Sequence, residues 1–195
     1  MTGIPATDGY RMERRMSILR RSFAAVMSIS FLCVPAVAAD HRWNVYANAR
    51  FGYEICYPAD LLTAQPEADN GDGRKFTGTS GAGLMVWGGY NVLEQDADAI
   101  IRDLPDDNAV VSYRRDAKDW AVVSGEENGA IFYAKALLER NAAGGIDTVR
   151  AFRLTYPAGE AKTYDAVVDR LAKCFRLTGR GIDDGLQPLP SGSPG

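Results

Sequence analysis

The chain has 195 residues, 46% of them hydrophobic and 24% charged, with a formal net charge of −3. That length suits one domain with flexible ends, and the apolar share is enough to bury a core. An acid excess with no basic run in the body of the chain argues against nucleic acid or an anionic membrane as partner.

Four arginines (Arg14, Arg15, Arg20 and Arg21) precede the uncharged run "SFAAVMSISFLCV", and "PAVAAD" follows with small residues at Ala36 and Ala38. That order is the n-region, h-region and A-x-A site of a secretory signal peptide, predicted over residues 1–39. The apolar run is shorter than the roughly 20 residues a bilayer span needs, so no stable membrane insertion is expected after cleavage. "RRSF" at 20–23 resembles the centre of a twin-arginine export signal but lacks the rest of it. Both export routes therefore stay open. Leu32 before Cys33 argues against lipidation. Removing residues 1–39 takes away five arginines and two acids, leaving 17 Lys+Arg against 23 Asp+Glu, a net −6.

The body of the chain is predicted as one α+β domain over residues 40–177. "RFGYEICYP" at 50–58 alternates Phe51, Tyr53, Ile55 and Tyr57 against Gly52, Glu54 and Cys56, a period of two that predicts a strand ended by Pro58. "EADNGDGRKF" at 67–76 is turn material, since Asn-Gly and Asp-Gly favour positive φ. "KFTGT" and "GLMVWGGY" read as strands around "SGAG". In "LEQDADAIIRDL" at 93–104 the spacing of Leu93, Ala97, Ile100, Ile101 and Leu104 is helical, and Pro105 closes it. From 109, "AVVSYRR", "WAVVSG", "AIFYAKALLER" and "IDTVRAFRLTYP" are separated by short turn clusters, as in an antiparallel meander. "KTYDAVVDRLAKCF" is again helical, with Thr163 as its expected cap and Asp165 in its first turn. Residues 178–195 lack periodicity, are rich in Gly, Pro and Ser, and are predicted to be a disordered tail. The fold class is therefore α+β: a mostly antiparallel sheet with a middle helix and a C-terminal helix packed on it.

Once Cys33 leaves with the signal, Cys56 and Cys174 remain, an even count that in an exported protein favours a disulfide. A helix packed across the first strand would bring them together, with Cα atoms about 4.4–6.8 Å apart. Two buried free thiols are the alternative reading, because cysteine also packs as a small hydrophobe. A bond requires both faces of the Cys56 strand to be covered, as in a three-layer sandwich.

The "FGYEICYP" strand, the "NGDG" loop, the middle helix and the closing "YDAVVDRLAKCF" helix resemble exported bacterial proteins of unknown function. More distantly, the order of elements over residues 43–177 is similar to the Mog1/PsbP-like α/β/α sandwich. That resemblance implies a binding or accessory protein, and it supplies no common catalytic set.

Chemistry is sparsely provided. The single histidine, His41, sits beside the predicted mature N-terminus, poorly placed for Ser-His-Asp or Cys-His catalysis or for a zinc site. "GTSGAG" at 78–83 lacks the Lys-Ser/Thr of a phosphate loop and reads as a hairpin turn. "EADNGDG" offers oxygen ligands but not the spacing of a calcium loop. Asp60, Glu67, Asp69, Asp72, Glu126 and Glu127 are the carboxylates from which a hydrolytic pair could be drawn. In "MVWGGYN", Trp87 and Tyr90 flank two glycines and are the candidate binding residues, either as an exposed platform or as core. "YRRDAKD" at 113–119 reads as a charged hairpin tip. No catalytic residue, cofactor or metal is assigned. The expected function is that of a periplasmic or secreted, non-enzymatic binding or accessory protein for an unidentified protein or small envelope ligand. The alternatives are an envelope hydrolase using carboxylates, or a structural or stress protein acting through protein contacts.

Overall fold

The computed structural model describes residues 40–179. The predicted signal peptide and nearly all of the predicted tail lie outside that range. Ten strands and two α-helices follow in the order β1 (Trp43–Asn48), β2 (Tyr53–Pro58), β3 (Thr63–Glu67), β4 (Gly73–Thr77), β5 (Gly83–Tyr90), α1 (Ala97–Arg102), β6 (Val110–Ala117), β7 (Trp120–Glu127), β8 (Ala130–Arg140), β9 (Ile146–Pro157), α2 (Ala161–Cys174) and β10 (Arg176–Leu177). Among the described residues they form a seven-stranded sheet in the order β3-β4-β5-β9-β8-β7-β6 and a small sheet β1-β2-β10, antiparallel throughout.

The meander expected from residue 109 onward is present as β6 to β9. Asn128 and Gly129, both at positive φ, make the two-residue turn between β7 and β8, as an Asn-Gly pair favours. Period-two alternation then assigns the two faces of the large sheet. On β9, Phe152, Leu154 and Tyr156 join one core with Tyr53, Ile55 and Phe76 and with Tyr164, Val167 and Leu171 of α2. Ala151 of β9 instead joins a second core with Ala134 and with Ile100 and Ile101 of α1. The helices therefore lie on opposite faces of one sheet, giving three layers, with the β1-β2-β10 sheet sharing the α2 layer. Burying a side chain such as Leu171, which is fully inaccessible, contributes about 1.5–3 kcal/mol.

The Cys56–Cys174 disulfide joins β2 to the last residue of α2, with Cα atoms 5.9 Å apart. Both faces of β2 are covered: Tyr53 and Ile55 are fully buried in the core shared with the large sheet, and Cys56 is 7% exposed toward α2.

Several local expectations differ from the structure. β1, β3 and β10 had no predicted counterpart. The first and third carry mixed burial patterns, and β10 spans two residues, held by pairing with β2. Helix α1 begins after Asp96, whose carboxylate accepts from the Ala99 N–H at 2.8 Å. Leu93, expected on its buried face, lies in the preceding loop and is 78% exposed. Helix α2 begins at Ala161, so Thr163 lies inside it, Asp165 falls beyond its first turn, and the capping position is Glu160, whose carboxylate accepts from Ser80 Oγ at 2.9 Å and makes no capping bond. A 3-10 turn at Ala158–Glu160 feeds directly into the helix and replaces a side-chain cap.

Candidate functional site

On β5, Leu84 and Val86 turn toward the α2-side core, so Met85 and Trp87 turn toward the α1 side. Tyr90 follows the first set. Its ring lies 5.2 Å from that of Phe51, which crosses β5 on the α2 side. The two candidate binding residues thus leave opposite faces of the strand, yet both border one groove at its end. The glycines between them have separate reasons. A Cβ on Gly88 would sit 2.5 Å from Phe51 Cγ, whereas a Cβ on Gly89 would meet nothing within 4 Å. Gly88 admits Phe51; Gly89 leaves open space beside Trp87.

That space is a groove of about 250 Å³ bordered by Trp87, Gly89, Tyr90, Ile100, Leu104 and Val149. On the other side of Trp87 lies a second groove of about 500 Å³, bordered by Pro66, Gly73, Lys75, Thr77 and Met85. α1 packs against the β7-β8-β9 half of this face. The β3-β4-β5 half carries Met85, 37% exposed, and Trp87, which is half-buried against the edge of the α1-side core.

The loop between β5 and α1 presents further apolar surface. Val92 is 81% exposed beside Leu93. Asn91 fixes this loop: its Nδ2 donates to the carbonyls of Gln95 (2.9 Å) and Ile146 (3.0 Å), and its Oδ1 accepts from the Gln95 N–H at 3.0 Å. Glu94 takes a positive φ of 51° to complete the turn. Two apolar side chains are thus held in solvent by a rigid turn. The sequence reading assigned Leu93 to a helix face and so missed this loop; Asn91 five residues before the Asp96 cap was the available signal.

Three of the carboxylates considered for hydrolysis have structural partners. Asp60 meets His41, Nδ1 to Oδ2 at 2.8 Å, and that bond first of all holds its carboxyl below the ordinary range. Glu67 accepts from the Tyr46 hydroxyl at 2.6 Å and from Asn48 Nδ2 at 3.2 Å. Asn48 Nδ2 also donates to the Gly71 carbonyl at 2.9 Å, and the Tyr53 hydroxyl donates to the Asp72 carbonyl at 3.1 Å. The "NGDG" loop is thereby stitched to β1 and β2. Glu127, nearly buried, pairs with Arg153, which also reaches Asp106 at 3.1 Å. Each of Asp60, Glu67 and Glu127 is occupied as an acceptor, which is a structural use. Among the described residues no three His, Cys, Asp or Glu side chains converge as metal ligands would. The "GTSGAG" segment makes the β4–β5 turn, closed by the Gly78 N–H donating to the Ala82 carbonyl at 2.8 Å.

No protein-family model matches the chain, and no curated protein does. Among solved structures, the cyanobacterial PsbP (CyanoP) of Synechocystis sp. PCC 6803 superimposes with a TM-score of 0.51 at 15% identity, over 75% of this chain and 98% of that one. The fold is PsbP-like. A protein of Bacteroides thetaiotaomicron VPI-5482 matches at a TM-score of 0.39 and 10% identity, over 70% of this chain and 48% of that one, and carries no argument. At such identities the PsbP-like fold is what is shared, and the Trp87 surface stands on this chain's own residues.

Proposed function

We propose that this chain is an exported, non-enzymatic binding or accessory protein of the cell envelope that holds a partner protein on the Trp87 side of its central sheet. The observation that carries this reading is Trp87 itself, half-buried at the edge of the α1-side core, with a groove on either side. Trp is enriched among the few residues that dominate protein–protein binding energy. Val92 and Leu93, held out by Asn91, extend the apolar surface beside it. Of the two grooves beside Trp87, one of about 250 Å³ is below the ~300–1,000 Å³ of usual small-molecule sites and the other, about 500 Å³, lies within it. The preference for a partner protein therefore rests on the exposed Val92 and Leu93 beside Trp87 and not on groove size. Export is supported by the signal-like order of residues 1–39 and by the disulfide, which suits an oxidising compartment. No helix among the described residues is long and apolar enough to cross a membrane.

The test is affinity capture from periplasmic extract of the native host with the immobilised mature chain, its Trp87→Ala variant and its Gly89→Leu variant. Gly89→Leu fills the groove from a position where a new side chain meets nothing. The expected result is a discrete captured protein that both variants lose while their circular dichroism matches wild type. Capture indifferent to both substitutions overturns the reading. So does a hydrolytic activity abolished by a single carboxylate substitution.

A further inference from the structure

β6 closes one side of the large sheet, and all eight of its residues are exposed, including Val110 at 71%, Val111 at 45% and Tyr113 at 49%. Among the described residues its outer side has no neighbour, and an unpaired edge is a row of free N–H and C=O groups ready for another strand. The opposite edge is guarded. β3 has five residues, contains Pro66 and breaks register between Ala64 and Glu67. β6 has no proline, and its register break is confined to Val111–Tyr113, leaving Tyr113–Ala117 regular.

The charges on that regular stretch select an occupant. Arg114 lies opposite Val123 and Asp116 opposite Ala121, so both belong to the α1 side of the sheet. Arg115 lies opposite Val122 on the other side, with its guanidinium 5.8 Å from the centre of the Trp120 ring. In an antiparallel pair, residues directly opposite share a face. A second β6 laid along this edge with the two-fold axis at Arg115 therefore sets Arg114 against Asp116 of the second copy, and Asp116 against its Arg114. An axis at Arg114 would oppose two arginines on the α1 side with no such pair. An axis at Asp116 would oppose two aspartates. Within one chain Arg114 already pairs with Asp98 and, through Nε at 3.1 Å, with Asp116. The Arg115 register joins the two copies' Arg114–Asp116 pairs into one alternating four-charge cluster on that face and keeps one like-charge pair on the other, where each arginine lies over its own Trp120.

We propose that β6 is a self-pairing edge and that its occupant is a second copy of this chain, joined as an isologous antiparallel dimer centred on Arg115. The two large sheets then run on as one. The two-fold axis stands perpendicular to the sheet, so both Trp87 surfaces fall on the same face, each four strand spacings of about 4.8 Å from its own β6.

The experiment is sedimentation velocity of the mature chain across a concentration series, with Arg114→Glu and Asp116→Arg each alone and then mixed in equal amounts. Wild type is expected to approach twice the chain mass as concentration rises. Each single variant places like charges across the joint twice and is expected to stay at the single-chain mass. Mixed, they restore two opposite-charge pairs, and the doubled mass is expected to return. Three results overturn the proposal: a wild type that stays monomeric at every concentration, a dimer that persists in both single variants, or a mixture that stays monomeric. Both substitutions are at exposed positions, and matching circular dichroism verifies that each variant is folded.

Discussion

Gly88 and Gly89 are adjacent in sequence, yet the structure uses them in opposite ways. Gly88 faces Phe51, and a Cβ there would come within 2.5 Å of its ring carbon. Something must move, and overpacking of that kind costs about 1–3 kcal/mol. Gly88→Ala is therefore expected to lower the denaturant midpoint clearly, whereas Gly89→Ala is expected to stay within about 0.5 kcal/mol of wild type. Parallel urea titrations of the two variants check this, and equal losses would show that Phe51 does not lie across β5. The alternation of "GLMVWGGY" was legible in the sequence. The crossing of Phe51 over Gly88 was not, because it joins positions 37 residues apart.

At the scale of elements, the contact that fixes α2 is its junction with β2. The helix presents Tyr164, Val167 and Leu171 to the core and ends on Cys174, bonded to Cys56 across a sequence separation of 118. Lys135 of β8 adds a second tie, its Nζ donating to the Ala172 carbonyl at 2.6 Å, and burial lowers its pKa. Closing a loop of that length is worth about 2–4 kcal/mol after allowance for strain. Replacing both cysteines by serine is expected to lower stability by that amount while the sheet is retained. Wild type in reductant should match the double variant. Chemical denaturation followed by far-ultraviolet circular dichroism reads both, and a double variant as stable as the oxidised wild type would remove the disulfide from the account of stability.

For the whole molecule, the shared core is unusually rich in tyrosine. Tyr46, Tyr53, Tyr156 and Tyr164 lie buried there, and Tyr133 packs against it. Burial is the foremost cause raising the pKa of all five. A folded-state pKa raised above the unfolded value of about 10 means that these phenols stabilise the fold fully below that pH. The contribution is lost as pH rises through the folded-state values, because the unfolded chain releases its protons first. Stability is therefore expected to fall steeply above about pH 10. Tyrosinate absorbance should appear together with loss of circular dichroism. Smooth ionisation of these five tyrosines in a chain that stays folded would contradict the buried placement of their rings.

The sequence by itself determined the elements whose periodicity is strong: β2, β5, the β6–β9 meander and α2, together with the disulfide as the favoured state of two remaining cysteines. These follow from local alternation, helical spacing, turn residues and an even thiol count, which act over a few positions. Short elements were not legible. β1 and β3 have irregular burial, and β10 exists only because β2 offers it an edge. The candidate site shows the same division. Trp87 and Tyr90 stood out as aromatic residues around two glycines, but alternation alone did not reveal that Tyr90 packs on Phe51, that both residues border one groove, or that Trp87 borders a second. The exposure of Val92 and Leu93 depends on Asn91 reaching the Ile146 carbonyl, a contact across 55 positions. Which half of a sheet face a helix covers is set by packing between distant segments, so only the tertiary structure decided where this protein has a surface to offer.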